Sequence, residues 1–179
     1  MEPGALWDHM LATAVASELL ARELGIKAPP QAFTAALLHD IGRLVLGTNL
    51  EVDVDPILEL AEEEDIPFQE AETRLLGVNH AEVAAELLNN WKLPESLSET
   101  IRWHLDPNGF PGEDKLSVDL LHASNAITML RGIGLGIDGY SYALCKETEE
   151  RLQLTPELIE RLLSNLDDEI EKLTQSVEA

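Results

Sequence analysis

The chain has 179 residues, 45% of them apolar and 4% aromatic, and its 34 Asp and Glu outweigh 12 Lys and Arg for a net charge of −22. That length buries one substantial core, and scarce aromatics beside abundant Ala and Leu favour packed helices over a sheet. The acidic excess argues against direct nucleic-acid binding, and the single cysteine, Cys145, excludes an internal disulfide and a cysteine-rich zinc site.

In chain order, Trp7 to Leu24 places Met10, Leu11, Val15, Leu19 and Leu24 at three- and four-residue spacings, which predicts an amphipathic helix closed by Gly25. Pro29 and Pro30 open a second, with Phe33, Ala36, Leu37, Ile41, Leu44 and Val45 on one stripe, His39 and Asp40 inside it, and an end near Gly47. Asp55 reads as an N-cap before Pro56, and Pro67 starts a short helix that Gly77 closes. Asn79 caps a helix from His80 to about Trp91, Pro94 starts the next through His104, and a Pro/Gly loop over Asp106 to Asp114 precedes a helix from Leu116 to Arg131.

Gly132, Gly134, Gly136 and Gly139 read as a surface loop, since the order and the preceding strand of a dinucleotide site are missing. Helices follow from Tyr142 to Leu152 and from Pro156, with Thr155 as cap, Leu158, Leu162, Leu166 and Ile170 along one side, and a frayed tail from about Thr174. Apolar stretches such as Phe33 to Leu38 fall far short of the roughly 20 residues that span a bilayer, so a cytoplasmic protein with no membrane partner is expected.

Histidines stand at 9, 39, 80, 104 and 122, the first four on predicted helices that also carry core stripes. A single buried histidine is usually satisfied by a neighbouring backbone group, but imidazoles with one carboxylate are also the common ligands of Zn, Fe and Mn. A bundle interior can gather such a set. For Trp91 and Trp103 a core role is expected, for His122 a structural one, and for the Glu62 to Asp65 run a solvated helix end without a basic partner.

The blocks LWDHMLATAVASELLARELG, AFTAALLHDIGRLVL, ETRLLGVNHAEVAAELLNNW, LPESLSETIRWHLDP and LLHASNAITML resemble the HDOD branch of the HD superfamily over residues 6–131. The resemblance implies an all-α, compact helical bundle of the HD-domain type, one domain over 1–179 in which 132–179 is a C-terminal helical extension. Against the catalytic HD-GYP relatives, His9, His39, Asp40, His80 and His104 match metal-ligand positions. Two departures stand out: Trp103 replaces the first of two consecutive histidines, and Asn125 stands where a late aspartate is expected. Asparagine at that place is similar to HDOD domains, while Asn108 to Gly112 only faintly echoes a GYP motif.

Asp40 is then the only carboxylate of the matched set, which neutralises two divalent cations poorly. The expected site is therefore either degenerate, with no cofactor, or a single-metal one that holds a divalent ion (Fe, Mn, Zn or Mg) on His9, His39 and Asp40, with Asn125 as a weak fourth ligand and His80 and His104 as a second candidate set. The resemblance implies a regulatory signal-transduction module of a larger bacterial protein, acting through another protein or signalling domain or as a homo-oligomer. The start at Leu6 to His9 implies a shortened version or a fragment lacking an N-terminal lobe. The alternative is a metal-dependent phosphohydrolase or phosphodiesterase using a metal-bound water, with Asp40 and Arg43 at the catalytic centre and Arg74 and Arg102 as further phosphate donors. A third possibility, a ligand-free bundle, requires the histidines to point into separate cores.

Overall fold

The computed structural model describes residues 4–49, 53–113, 115–133 and 142–178, apart from the side chains of 49, 174 and 176–178. Among them the chain is helical without strands: α1 (Ala5–Glu23), α2 (Ala32–Leu38), α3 (Ile41–Asn49), α4 (Asp55–Glu64), α5 (Phe68–Leu76), α6 (His80–Asn90), α7 (Glu95–Trp103), α8 (Leu116–Arg131), α9 (Lys146–Leu152) and α10 (Pro156–Glu178).

Two helices form the centre. On α8 every residue from Val118 to Met129 is buried, and α1 is buried through most of its length. A helix buried on nearly all sides belongs inside a bundle, and α1 and α8 pack on each other while α2 and α10 cover α1. One core layer joins Leu19 and Leu20 of α1 with Leu120 and Ile127 of α8 and Leu158, Leu162 and Leu166 of α10. A second joins α1, α2, α6, α7 and α8 through Ala14, Ala35, Ala36, Ala84, Leu88, Leu97, Ile101 and Leu121. Its small residues let these helices approach closely, and their burial removes apolar surface from water at roughly 25 cal/mol per Å². Helices α4 and α5 make a satellite cluster on Ile57, Phe68 and Ala71.

Local signals explain most boundaries. Gly77 ends α5 at φ 77°, Asn79 and Glu82 form a reciprocal capping box on α6, and the Thr155 hydroxyl accepts from the Leu158 amide at 3.2 Å at the start of α10. Six expectations need correction. The helix opened by Pro29 and Pro30 breaks at His39 and Asp40, giving α2 and α3. The His39 ring donates Nδ1–H to the Ala36 carbonyl at 2.7 Å, the acceptor that the Asp40 amide would use in an unbroken helix.

Helix α4 begins at Asp55 with Val54 as its cap, α9 begins at Lys146 after a non-helical stretch from Tyr142 that ends on an extended Cys145, and α10 continues to Glu178. Trp91 is 55% exposed and Trp103 half-buried, so neither is a core residue; both stand at helix ends. The acidic run does have a basic partner, because α5 lies beside α4 and brings Arg74 to Glu64. Of the glycine loop, Gly132 caps α8 at φ 83°, and Gly134, Gly136 and Gly139 lie outside the described residues.

Candidate metal centre

Four helix segments deliver the matched residues to one place. His9 sits on α1, His39 and Asp40 form the α2–α3 junction, His80 is the first residue of α6, and His104 caps the end of α7. All are at most 2% exposed. Asp40 lies at the centre: its carboxylate is 3.8 Å from His9 Nε2, 3.6 Å from His39 Nε2 and 3.4 Å from His80 Nε2. The His39 ring stands 5.2 Å from that of His9 and 5.1 Å from that of His104, centroid to centroid. Two ligand triads result, His9–His39–Asp40 and Asp40–His80–His104, each with its donor atoms within 4.8 Å of one another. The second set therefore shares Asp40 with the first, and the requirement of the ligand-free bundle, dispersed histidines, is not met.

The outer nitrogens fix the inner ones. Nδ1 of His9 bonds the Ile133 carbonyl at 3.2 Å, Nδ1 of His39 the Ala36 carbonyl at 2.7 Å and Nδ1 of His104 the Ile101 carbonyl at 2.6 Å. A carbonyl only accepts, so each Nδ1 carries the hydrogen and each Nε2 presents a lone pair inward. His80 is oriented by Glu72, whose Oε2 accepts from its Nδ1 at 2.5 Å and from its backbone amide at 3.1 Å. This is the outer-shell arrangement of metal-ligating histidines. Nε2 of His9, His39 and His104 and Oδ1 of Asp40 and Asn125 are buried without a hydrogen-bond partner, an expensive condition that a cation would relieve. The residues fit a metal.

Electrostatics point the same way. Burial lowers the pKa of His39 to about 4 and that of His104 well below the ordinary imidazole value, keeping both neutral and able to ligate. Burial alone would raise Asp40, but Arg43, and then His39, His80 and His9, hold it well below the usual carboxylate range. Arg43 Nε lies 3.0 Å from Asp40 Oδ2, its Nη2 lies 3.3 Å from His80 Nε2, and its guanidinium lies over the Phe68 ring at 5.2 Å. Arg74 and Arg102 are not brought in: Arg74 pairs with Glu64 and Glu70, and Arg102 with Glu86 and Glu99.

Asn125 is buried on α8, and its side chain lies near the Tyr142 hydroxyl. His122 takes the structural role expected of it, with Nδ1 2.7 Å from the His104 carbonyl. Sequence reasoning missed two residues. Glu72 supports His80 from eight positions upstream across the Gly77 turn, a separation without a helical period, and Tyr142 lies beyond the glycine loop.

Residues 1–107 match the HDOD domain family. Over 121 residues the chain is 29% identical to an uncharacterised protein of Treponema pallidum (strain Nichols), covering 67% of this chain and 24% of that protein. Its fold is similar to the crystal structure of an HDOD domain protein of unknown function from Geobacter sulfurreducens, with TM-score 0.69 and 27% identity over 97% of this chain and 59% of that one. A Marinobacter aquaeolei VT8 protein provisionally assigned to signal transduction gives TM-score 0.74 at 24% identity, covering 97% of this chain and 39% of its own. A Shewanella amazonensis SB2B protein provisionally assigned as a phosphohydrolase gives 0.60 at 23%, covering 98% and 60%. The chain thus spans about a quarter of the Treponema relative and less than two thirds of each structural neighbour.

Proposed function

The chain belongs to the HDOD family, and from that premise we propose that it is a signal-transduction module whose histidine–aspartate centre holds one divalent metal ion and which acts by contact with another protein. The observation that carries this reading is the state of the centre. Its inward lone pairs await a cation, yet its ligands are enclosed and its neighbouring cation, Arg43, is engaged with Asp40 and His80 instead of being turned toward a phosphate. When bound, the metal would be held by His9, His39 and Asp40, with His80, His104 and Asn125 as further donors, and would supply charge that ties four helix segments together. The nitrogen-rich donor set favours Zn, Fe or Mn over Mg, which prefers oxygen.

A second reading, metal-dependent phosphoester hydrolysis, draws support from a cleft of about 660 Å³ that reaches Arg43 and Glu72 at the edge of the centre. The cleft speaks against an anionic substrate, since Leu44, Leu46, Val54, Ile57 and Phe68 line it together with Asp53 and Asp55. Hydrolysis of phosphoesters needs donors for the transferred group as well as a Lewis acid.

Elemental analysis of wild type beside the His39→Ala, Asp40→Ala double variant tests the proposal, followed by a phosphodiesterase and phosphatase screen with added Mn and Fe. We expect about one metal per chain in wild type, its loss in the variant, and no turnover. Metal-dependent turnover lost in the variant would establish the second reading; a metal-free, inert wild type would sink both.

A further inference from the structure

Helix α8 carries His122 and Asn125 three residues apart and therefore on one face. Both reach the non-helical residues 142–145 that lead into α9. The Cys145 amide donates to His122 Nε2 at 2.9 Å, which makes that nitrogen the acceptor and leaves the hydrogen of the neutral ring on Nδ1. Nδ1–H is then shared by the His104 carbonyl at 2.7 Å and the Tyr142 hydroxyl oxygen at 2.8 Å. One imidazole thus joins the backbone of a candidate ligand, a tyrosine and a loop amide.

The Tyr142 hydroxyl also lies near the Asn125 side chain, whose Oδ1 is buried and without a hydrogen-bond partner, and near Asp40. Beyond the segment, α9 is fastened to α8. Thr148 Oγ1 donates to the buried Asp119 at 2.6 Å, and Arg151 Nε reaches its other oxygen at 2.7 Å. From the other side Asn108, in the loop after His104, donates to Glu147 at 3.0 Å. Residues 142–145 are therefore anchored at the α9 end and meet the centre through His122 and Tyr142.

We propose that residues 142–145 are a clasp on the metal centre, with His122 as its joint, so that seating of the clasp and occupancy of the centre stabilise each other. The inference rests on the metal reading above. A metal on His104 fixes the end of α7 and hence the carbonyl that His122 holds. A seated clasp in turn orients Asn125 and shuts water out on the Tyr142 side. Coupling of this kind is reciprocal, so each partner raises the stability of the other by the same factor.

Cys145 offers a selective test, because its φ of −64° is the angle proline imposes. Cys145→Pro keeps that φ but deletes the amide hydrogen bond and sets its ring Cδ against His122 Nε2, so it unseats the segment, Cys145→Ala keeps the bond and controls for the thiol, and Tyr142→Phe removes the hydroxyl alone. For zinc-loaded proteins, the rate of zinc transfer to a chromogenic chelator and the hydrogen exchange of the peptide over 142–152, with and without zinc, are measured. Zinc should slow exchange in that peptide of the wild type. Release should be about tenfold faster in Cys145→Pro and Tyr142→Phe, the scale of outer-shell effects, and unchanged in Cys145→Ala. Zinc-loaded proteins with equal release rates and zinc-independent exchange would overturn the clasp while leaving the metal reading standing. A wild type that takes up no zinc, manganese or iron overturns the metal reading and the clasp with it.

Discussion

At His39 a buried imbalance becomes a pH dependence. Its Nδ1 is satisfied by Ala36, and its Nε2 is buried without a hydrogen-bond partner against a ring of other bases, so protonating it inside the fold is costly. Burial takes its pKa from 6.5 to about 4. Between those values the unfolded chain binds a proton that the folded chain does not, so stability rises with pH across the window and is lost as pH falls through it. The shift corresponds to about 3 kcal/mol for this residue in full, and burial moves His104 in the same direction. Asp40, held low by Arg43 and the histidines against its burial, gives stability that is lost in stronger acid still. Urea unfolding in the presence of EDTA should therefore show the midpoint falling steadily from pH 7.5 to 5, with a shallower fall in His39→Gln. At 500 mM KCl, where charge repulsion is screened, a midpoint indifferent to pH would show that the imidazoles are solvated and not enclosed.

Between elements, the centre depends on how closely α3 approaches α6. A Cβ on Gly42 would stand 1.9 Å from the His80 carbonyl oxygen and 2.9 Å from the Ala84 amide nitrogen, so there is no room for a methyl group between the two backbones. Gly42→Ala sets two effects against each other: alanine is the better helix former by up to about 1 kcal/mol, whereas overpacking against backbone costs about 1–3 kcal/mol. Because neither contact is a side chain that could swing away, packing wins. The variant should unfold at lower urea and bind metal more weakly, since α6 carries His80 toward Asp40; a rise in the urea midpoint would refute the close approach. Pro67, Gly77, Asn79, Pro94 and Thr155 made most helix ends legible in the sequence, as turn and cap chemistry is local. The break at His39 was hidden because the apolar spacing of Phe33, Ala36, Leu37, Ile41 and Leu44 runs straight across it. The clustered residues His9, His39, Asp40, His80 and His104 were legible through the resemblance, but Glu72 and Tyr142 join them through tertiary contacts, which leave no periodic trace.

Over the whole molecule, 34 acidic groups face 12 basic ones, and the ion pairs are too few to absorb the difference. Those that tie α10 to its neighbours, such as Arg22 with Glu169 at 3.0 Å and Arg161 with Glu23 at 2.7 Å, join exposed side chains on the basic partner's side. Exposed pairs of this kind contribute at most about 1 kcal/mol each. Salt weakens these attractions and the general repulsion together, with a Debye length of about 10 Å at 0.1 M. The acidic surplus decides the sign: repulsion acts among all uncompensated carboxylates, attraction only at the few pairs. Raising KCl from 20 mM to 500 mM at pH 7.5 should therefore raise the Tm of the metal-free protein by about 2–4 °C, the shift expected for ~1 kcal/mol in a chain of this size. A fall in Tm would mean that the pairs holding α10 to α1 outweigh the net charge. The same repulsion relaxes as carboxylates titrate in acid, so it opposes the histidine effect; the loss of stability from pH 7.5 to 5 should consequently be steeper at 500 mM KCl, where repulsion is already screened, than at 20 mM.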